Sequence, residues 1–355
     1  MSANLQNVRL ANLPPIGLAV PSSWYCLGLS RDLAAGQVWR RTLAGQELVV
    51  FRTATGQLAS LGAYCPHLGA DLGVGGKVEG ETIRCPFHGF CFGADGSCTS
   101  TPYGKRVPPA AKAKTIVVQE KHGLVFGWHG AAGEPPSFDI DDVGMDNWTD
   151  WREHVFELRG HPQEIAENSV DFGHFGEIHG YQDVKELAPL RTEGPLLLAR
   201  YSFLRPRVFA GMDQIGAEIA IHQQGLGYAR VDVEIAKIGL RTRQMVLTLP
   251  LGGDRIQLRI LMAIHRGLEP GKIHPLIGWL PRGWLAERIA TQGIVGYRED
   301  VAQDLPIWEA KVHLTRPALA EGDGPIGAYR KWTKQFYPQA VSEATSLPVA
   351  AQATA

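Results

Sequence analysis

Two short runs, Cys65-Pro66-His67 and Cys85-Pro86-Phe87-His88, constrain the fold of this chain more than any other feature in it. Each pairs one potential thiolate with one imidazole, as C-x-H and C-x2-H. In a mixed-ligand [2Fe–2S] centre, two cysteines hold one iron and two histidines hold the other, and the imidazoles raise the potential above that of an all-cysteine cluster. A Cys and a His two or three residues apart can approach different irons of one cluster. Residues 68–84 then supply the hairpin that brings the second loop beside the first. A Cys2His2 zinc site spaces cysteine from cysteine and histidine from histidine, as C-x2–4-C and H-x3–5-H. The pairing here does not fit that pattern.

The flanks agree with a Rieske-type centre. Gly69, Gly73, Gly75 and Gly76 suit loops that turn sharply and approach inorganic sulfur, and Pro66 and Pro86 stiffen them. Ala70 stands where high-potential respiratory Rieske proteins place a loop-bridging cysteine, so that disulfide is not expected. Phe90 and Phe92 follow His88 with no Ser or Tyr hydroxyl nearby, and fewer hydrogen bonds to the cluster favour a lower potential. Two of the five cysteines are spent on the cluster, leaving Cys26, Cys91 and Cys98 as an odd set that reads as thiols in a reducing compartment. Cys91 and Cys98 bracket a Gly-rich turn, and their alternative reading is as further ligands.

At 355 residues, 45% hydrophobic and 20% charged, the chain is long enough for two ordinary globular domains. A formal net charge of −1 offers no general attraction to nucleic acid or an anionic membrane. The first thirty residues lack a basic segment followed by an apolar core, and no apolar run is long enough to span a bilayer. The expected location is cytoplasmic.

Short strands with Gly punctuation (GQELVVFRT, GQLASL, TIVVQEKHGLVFGWH) predict a small β-domain over 24–130, after an extended arm at 1–23. Pro, Gly and Asp in GAAGEPPSFDIDD mark a linker, assigned to 131–145. The remainder, 146–338, begins with a strand at 154–159 and a helical segment over 164–179. Alternating stretches from 195 to 266 follow, as expected of an antiparallel sheet with one wet face. PLIGWLPRGWLAERIATQGIVGYREDVAQDLPIWEAK reads as mostly helical, and residues 339–355 as a disordered tail. The class is α+β.

A second candidate metal site lies in Asn168-Ser169-Val170-Asp171-Phe172-Gly173-His174-Phe175-Gly176-Glu177-Ile178-His179-Gly180. Two imidazoles and one carboxylate on one face of an iron make the facial triad of non-heme Fe(II) oxygenases, which leaves positions open for O2. In a regular helix His174 and His179 would stand about 140° apart in azimuth. They can share a metal only if the helix is bulged or His179 sits at its frayed end, and Gly173, Gly176 and Gly180 allow either. The alternative is a pair of satisfied surface or core histidines.

N-x2-D-x2-H-x4-H after C-x-H…C-x2-H resembles the oxygenase component of Rieske non-heme iron oxygenases over residues 24 to about 338. ADLGVGGKVEGETIRCPFHGF, STPYGKRVP, QDLPIWEAK and YRKWTKQFYP are most similar to 3-ketosteroid 9α-hydroxylase oxygenases and cholesterol 7-desaturases. The resemblance implies an N-terminal Rieske β-domain and a C-terminal helix-grip catalytic domain, whose antiparallel sheet wraps a long helix. It implies iron binding by His174, His179 and Asp304, with Asp300, one turn earlier, as the competing carboxylate. It also implies that Asp171 bridges an iron-bound histidine to a cluster histidine of a neighbouring subunit, with Asn168 in support. Helix capping is the alternative for both. A head-to-tail homotrimer is implied too, because cluster and iron within one subunit of this family are too far apart for electron transfer.

These readings imply an O2-dependent monooxygenase that inserts oxygen into a C–H bond. LIGWLPRGWL and the alternating strands would line an apolar pocket, suiting a bulky apolar small-molecule substrate such as a steroid or sterol. Demethylation and desaturation use the same iron chemistry and are the alternatives. No G-x-G-x-x-G opens a βαβ unit, so electrons from NAD(P)H are expected through a separate reductase or ferredoxin. Lys331 and Lys334 could dock an acidic donor or simply form a solvated helix face. A Rieske electron carrier and an apolar-ligand-binding protein are the non-enzymatic readings.

Overall fold

The structure, a computed structural model, describes residues 13–104, 106–209 and 212–338. The expected tail and most of the N-terminal arm lie outside the described residues. The chain divides into two compact units, one of residues 23–145 with 248–253, the other of the remainder.

The first unit holds β1 (Ser23–Leu29), β2 (Val38–Leu43), β3 (Gln46–Arg52), β4 (Leu58–Gly62), β5 (Lys77–Glu79), β6 (Thr82–Arg84), β7 (Cys91–Gly93), β8 (Cys98–Ser100), β9 (Val118–Lys121) and β10 (Leu124–His129). These form three small antiparallel sheets, ordered β1-β10-β9, β2-β3-β4 and β5-β6-β7-β8. Val49, Phe51, Leu61, Leu72, Ile83 and Phe92 are fully buried in one core cluster, which also takes in Cys65 and Cys85. The cluster loops therefore leave from the core, and burial of its apolar side chains fixes them.

The stretch read as a linker packs against this unit. Trp128 Nε1 donates to Glu134 O at 2.8 Å, Trp24 Nε1 donates to Phe138 O at 2.7 Å, and Ile140 is buried. Pro and Gly forbid regular structure there but do not prevent the backbone from accepting indole hydrogen bonds.

The second unit is built on a seven-stranded antiparallel sheet: β11 (Arg152–Arg159), β12 (Gln182–Glu193), β13 (Leu196–Phe209), β14 (Met212–Gln224), β15 (Tyr228–Ile235), β16 (Leu240–Gly252) and β17 (Arg255–Ile264), ordered β11-β17-β16-β15-β14-β13-β12. Its helices are α1 (Pro162–Glu167), α2 (Gly173–Glu177), α3 (Pro270–Ile273), α4 (Arg282–Ala302), α5 (Leu305–Ala310) and α6 (Ile326–Thr333). The long helix α4 packs on β17 and β11. Ala286 and Ala290 are fully buried, and a Cβ at Gly293 would meet Met262 Sδ at 2.7 Å. Small residues at helical spacing thus let α4 lie close on the sheet, giving the helix-grip arrangement.

The single helical segment expected over 164–179 is two short helices. Ser169 and Val170 donate to Ala166 O and Glu167 O, tightening the end of α1, and Phe172 N turns away to Asp323 O. All of α1 is buried, Glu164 and Glu167 included. Their charges are met by Lys311, 2.7 Å from Glu164 and 3.2 Å from Glu167, by His313 on Glu164, and by Arg330 on Glu167. Such pairing is what lets charged groups stay buried.

Candidate metal centres

The two cysteine loops of the first unit are built alike. Cys65 N donates to Ala70 O and Cys85 N to Phe90 O, both at 2.8 Å, while Gly69 and Gly89 each return a hydrogen bond to the carbonyl of the cysteine four residues earlier. Gly69 and Gly89 have φ of 74° and 67°, a conformation that side chains resist. Gly89 was not among the glycines singled out in the sequence, and its place in the repeated turn explains it.

The turns bury both cysteines and leave both histidines half-exposed. The His67 and His88 rings lie 4.7 Å apart, edge to face, and His67 stacks on Phe90 at 4.3 Å. Burial, together with the neighbouring Cys85 thiol, pushes the Cys65 thiol up to about 11, despite backbone N–H groups that favour the thiolate. Two adjacent buried sulfurs suit one positively charged iron, beside which the thiolate form would be favoured. The donor set fits a [2Fe–2S] cluster with thiolates inward and imidazoles outward. Tyr103 comes in from beyond β8, its ring 6.4 Å from His88, so a tyrosine does stand near the cluster loops after all. All five cysteines are among the described residues and none of them is in a disulfide, Cys26 and Cys91 being buried.

In the second unit, α2 positions both histidines. Gly180, at φ 67°, ends the helix with a hydrogen bond to Gly176 O at 3.0 Å, making His179 the last residue before a left-handed cap. The helix end, not a bulge, turns His179 toward His174, with ring centroids 5.4 Å apart. One donor atom from each of His174, His179 and Asp304 lies within 4.8 Å of the others. Asp304 sits between α4 and α5, nearly buried, with Oδ2 3.5 Å from His179 Nε2. Two imidazoles and a buried carboxylate on one side of a small space fit an Fe(II) ion with positions open.

Asp300 is engaged elsewhere. It pairs with Arg205 of β13, whose guanidinium lies 5.9 Å over the Tyr181 ring. Burial raises the Asp300 carboxyl, although Arg205 opposes the shift.

Asp171 occupies the break between α1 and α2. Its Oδ2 lies 3.6 Å from His174 Nδ1, and Oδ1 accepts from His174 N at 3.4 Å, so it both faces the imidazole and caps α2. Burial would raise its carboxyl, but the contacts with His174 outweigh burial and hold it below its ordinary value. Asn168 Oδ1 accepts from Trp308 Nε1 at 3.3 Å, and Trp308 N donates to Asp304 O, which ties the turn to the helix carrying Asp304.

Several supports were missed in the sequence. Tyr201 donates to Ser169 O at 3.0 Å, and Gln223 donates to Ala166 O at 2.8 Å and to Ser169 Oγ. A Cβ at Gly324 would strike Val170 O at 2.1 Å. These residues come from distant strands and loops, and no local pattern marks them.

The LIGWLPRGWL stretch departs from its expected role. Leu276, Trp279 and Trp284 are 77, 79 and 53% exposed, and within that stretch only Leu285 is buried. Pro275 and Pro281 keep residues 276–280 out of α4, and in the first turn of that helix Trp284 faces outward while Leu285 turns in.

Residues 23–111 match the Rieske [2Fe–2S] domain, and residues 127–337 match the 3-ketosteroid 9α-hydroxylase C-terminal domain. Fold and domain pair define a Rieske-type non-heme iron monooxygenase, a class that carries a [2Fe–2S] cluster and a mononuclear iron. The chain belongs to the 3-ketosteroid 9α-hydroxylase family of these enzymes. It is 32% identical to a 3-ketosteroid-9-alpha-monooxygenase oxygenase component of Rhodococcus rhodochrous, over 94% of this chain and 87% of that one. It is 30% identical to a cholesterol 7-desaturase of Bombyx mori, over 93% of this chain and 71% of that one. In fold it is similar to dicamba monooxygenase bound to 3,6-dichlorosalicylic acid, with TM-score 0.63, 17% identity and coverage of 88% of this chain and 96% of that one.

Proposed function

We propose that the chain is the oxygenase component of a system that hydroxylates a steroid or sterol at a C–H bond, drawing electrons from NAD(P)H through a separate reductase or ferredoxin. The observation that carries this reading is the convergence of His174, His179 and Asp304 in a chain whose second unit matches a steroid-hydroxylase domain. An iron held by these three residues would supply O2 activation, and a cluster held by Cys65, His67, Cys85 and His88 would supply the second electron. The protein's own task is to orient and insulate. Asp171 Oδ2 faces His174 Nδ1 from 3.6 Å, a placement that would orient the ring with Nε2 toward a metal. Asn168 and Trp308 hold the Asp171 turn against the Asp304 helix. Arg205 keeps the Asp300 carboxylate occupied, which favours Asp304 as the carboxylate ligand.

A homotrimer, with each cluster serving a neighbour's iron through Asp171, fits the surface of the first unit. Leu68, Phe87 and Tyr103 are each about two-thirds exposed around the cluster loops, an apolar rim suited to a protein partner. The relatives' description as oxygenase components supports a separate electron donor. Among the described residues no helix is long and apolar enough to cross a membrane, and five cysteines outside disulfides fit a cytoplasmic location.

Desaturation is the second reading, favoured by the likeness to cholesterol 7-desaturase. Incubation with a surrogate reductase, NADH and a panel of steroids and sterols tests both. Hydroxylation adds one oxygen to the product mass and desaturation removes two hydrogens. About three irons and two acid-labile sulfides per chain are expected, whereas about two irons would leave only an electron carrier. A metal-complete protein that converts none of the panel would overturn the substrate reading.

A further inference from the structure

Residues 270–284 form an exposed apolar surface that no part of the chemistry above uses. Leu276, Trp279 and Trp284 are each more than half exposed, and Ile273, Ile277 and Leu280 are half-buried behind them. Large apolar side chains scattered singly over a surface are ordinary, but three within nine residues of chain mark an interaction site. The segment is also well built. Lys272 N, His274 N, Ile277 N, Gly278 N and Leu280 N all donate to carbonyls within 269–277. Leu276 N donates to His274 Nδ1, and Trp279 Nε1 donates to Leu276 O at 3.0 Å. With its indole N–H satisfied inside the turn, Trp279 offers solvent a mainly apolar ring.

Charge selects the occupant. Lys272, Arg282 and exposed Arg288 put three positive charges on and beside the segment, against two negative ones at its borders: Glu269, which pairs with Lys272 at 2.9 Å, and Glu287, which pairs with Arg152 and Arg266. The whole-chain charge of −1 conceals this local excess. Tryptophan favours the headgroup layer, backbone groups satisfied within a segment can enter it cheaply, and basic residues beside apolar ones favour anionic lipid. The segment also runs directly into α4, whose far end leads to Asp304.

We propose that residues 270–284 dock the protein reversibly on an anionic lipid bilayer, from which it takes its apolar substrate. The choice of a bilayer over a protein partner rests in part on the steroid or sterol reading, since such molecules partition into lipid.

The test uses the full-length, metal-loaded protein and vesicles of phosphatidylcholine and phosphatidylglycerol at about three to one. Wild type is expected to co-sediment with them. The triple variant Leu276→Ser/Trp279→Ser/Trp284→Ser should lose about tenfold or more of that partition while keeping its cluster absorbance and far-UV spectrum. Lys272→Glu/Arg282→Glu should weaken binding to these vesicles but not to phosphatidylcholine alone. Turnover of a steroid supplied in vesicles should fall in the triple variant, and turnover of the same steroid supplied in cyclodextrin should not. Absence of wild-type sedimentation, or equal sedimentation of wild type and triple variant, overturns the proposal. A smaller assembly in the triple variant also overturns it, because the surface would then join copies of the chain. If no form turns over any steroid yet sedimentation follows the expected pattern, the substrate reading falls and the docking surface stands.

Discussion

Nε2 of His179 lies 3.5 Å from Oδ2 of Asp304, with each side chain only 9% exposed. The contact is too long for a good hydrogen bond, and His179 Nδ1 is buried without a partner among the described residues. A cation between the imidazole and the carboxylate would resolve the mismatch. Asp304→Ala should therefore lose mononuclear iron, falling from about three irons per chain to about two, with the cluster spectrum intact. Asp300→Ala should keep most of its iron, since Asp300 serves Arg205. Iron analysis of the two variants decides the matter, and the reverse result would make Asp300 the ligand.

Asp171→Asn preserves size but removes the charge and one acceptor facing His174. Both metal centres should stay loaded and the assembly intact. Turnover should fall about a hundredfold or more, as expected when a metal-bound histidine loses its carboxylate partner. Pre-reduced protein mixed with substrate and O2 should show slow cluster reoxidation. Reoxidation at the wild-type rate would remove Asp171 from the electron route.

Replacing His67 with Cys should lower the cluster potential and move its reduced-state EPR signal toward that of an all-cysteine cluster, because a thiolate adds negative charge at the iron. Potentiometry and EPR read the change. His67 is half-exposed, so the exchange should not disturb the core that holds Cys65 and Cys85.

His161 makes stability depend on pH. Its Nε2 meets Ala19 O at 3.0 Å and its Nδ1 accepts from Gln163 N at 3.2 Å, a pattern that requires the neutral ring. Burial lowers its pKa from 6.5 to about 4. The unfolded chain thus binds the proton first as pH falls. The stabilisation is complete above about pH 6.5 and is lost progressively toward pH 4, amounting to about 3 kcal/mol. Glu164, held near 2 despite its burial by His313 and Lys311, loses its contribution only below about 4.5. Urea midpoints between pH 7 and 4 should fall for wild type and fall less for His161→Gln. Parallel slopes would assign the loss to other groups.

The spacing of the four cluster residues was readable because their ligands are local: two turns of the same geometry need only Cys, His and Gly at fixed offsets. The sheet was readable because alternation over strands such as β14 and β16 is the direct imprint of one buried face. The 164–179 segment was misread as continuous helix, since Asp171 breaks it by taking the His174 N–H while Asp323 takes that of Phe172. Neither bond has a signature in that stretch.

The linear order of residues alone determined the donor types, the cysteine–histidine pairing and the apolar faces, because each depends on side-chain chemistry at short range. Only tertiary structure decided which carboxylate meets His179. Asp300 and Asp304 stand one turn apart on the chain, and what separates them is Arg205, which β13 brings across to one and not the other. Tertiary structure also turned Leu276, Trp279 and Trp284 outward, because an apolar residue is buried only where some other part of the fold is close enough to cover it.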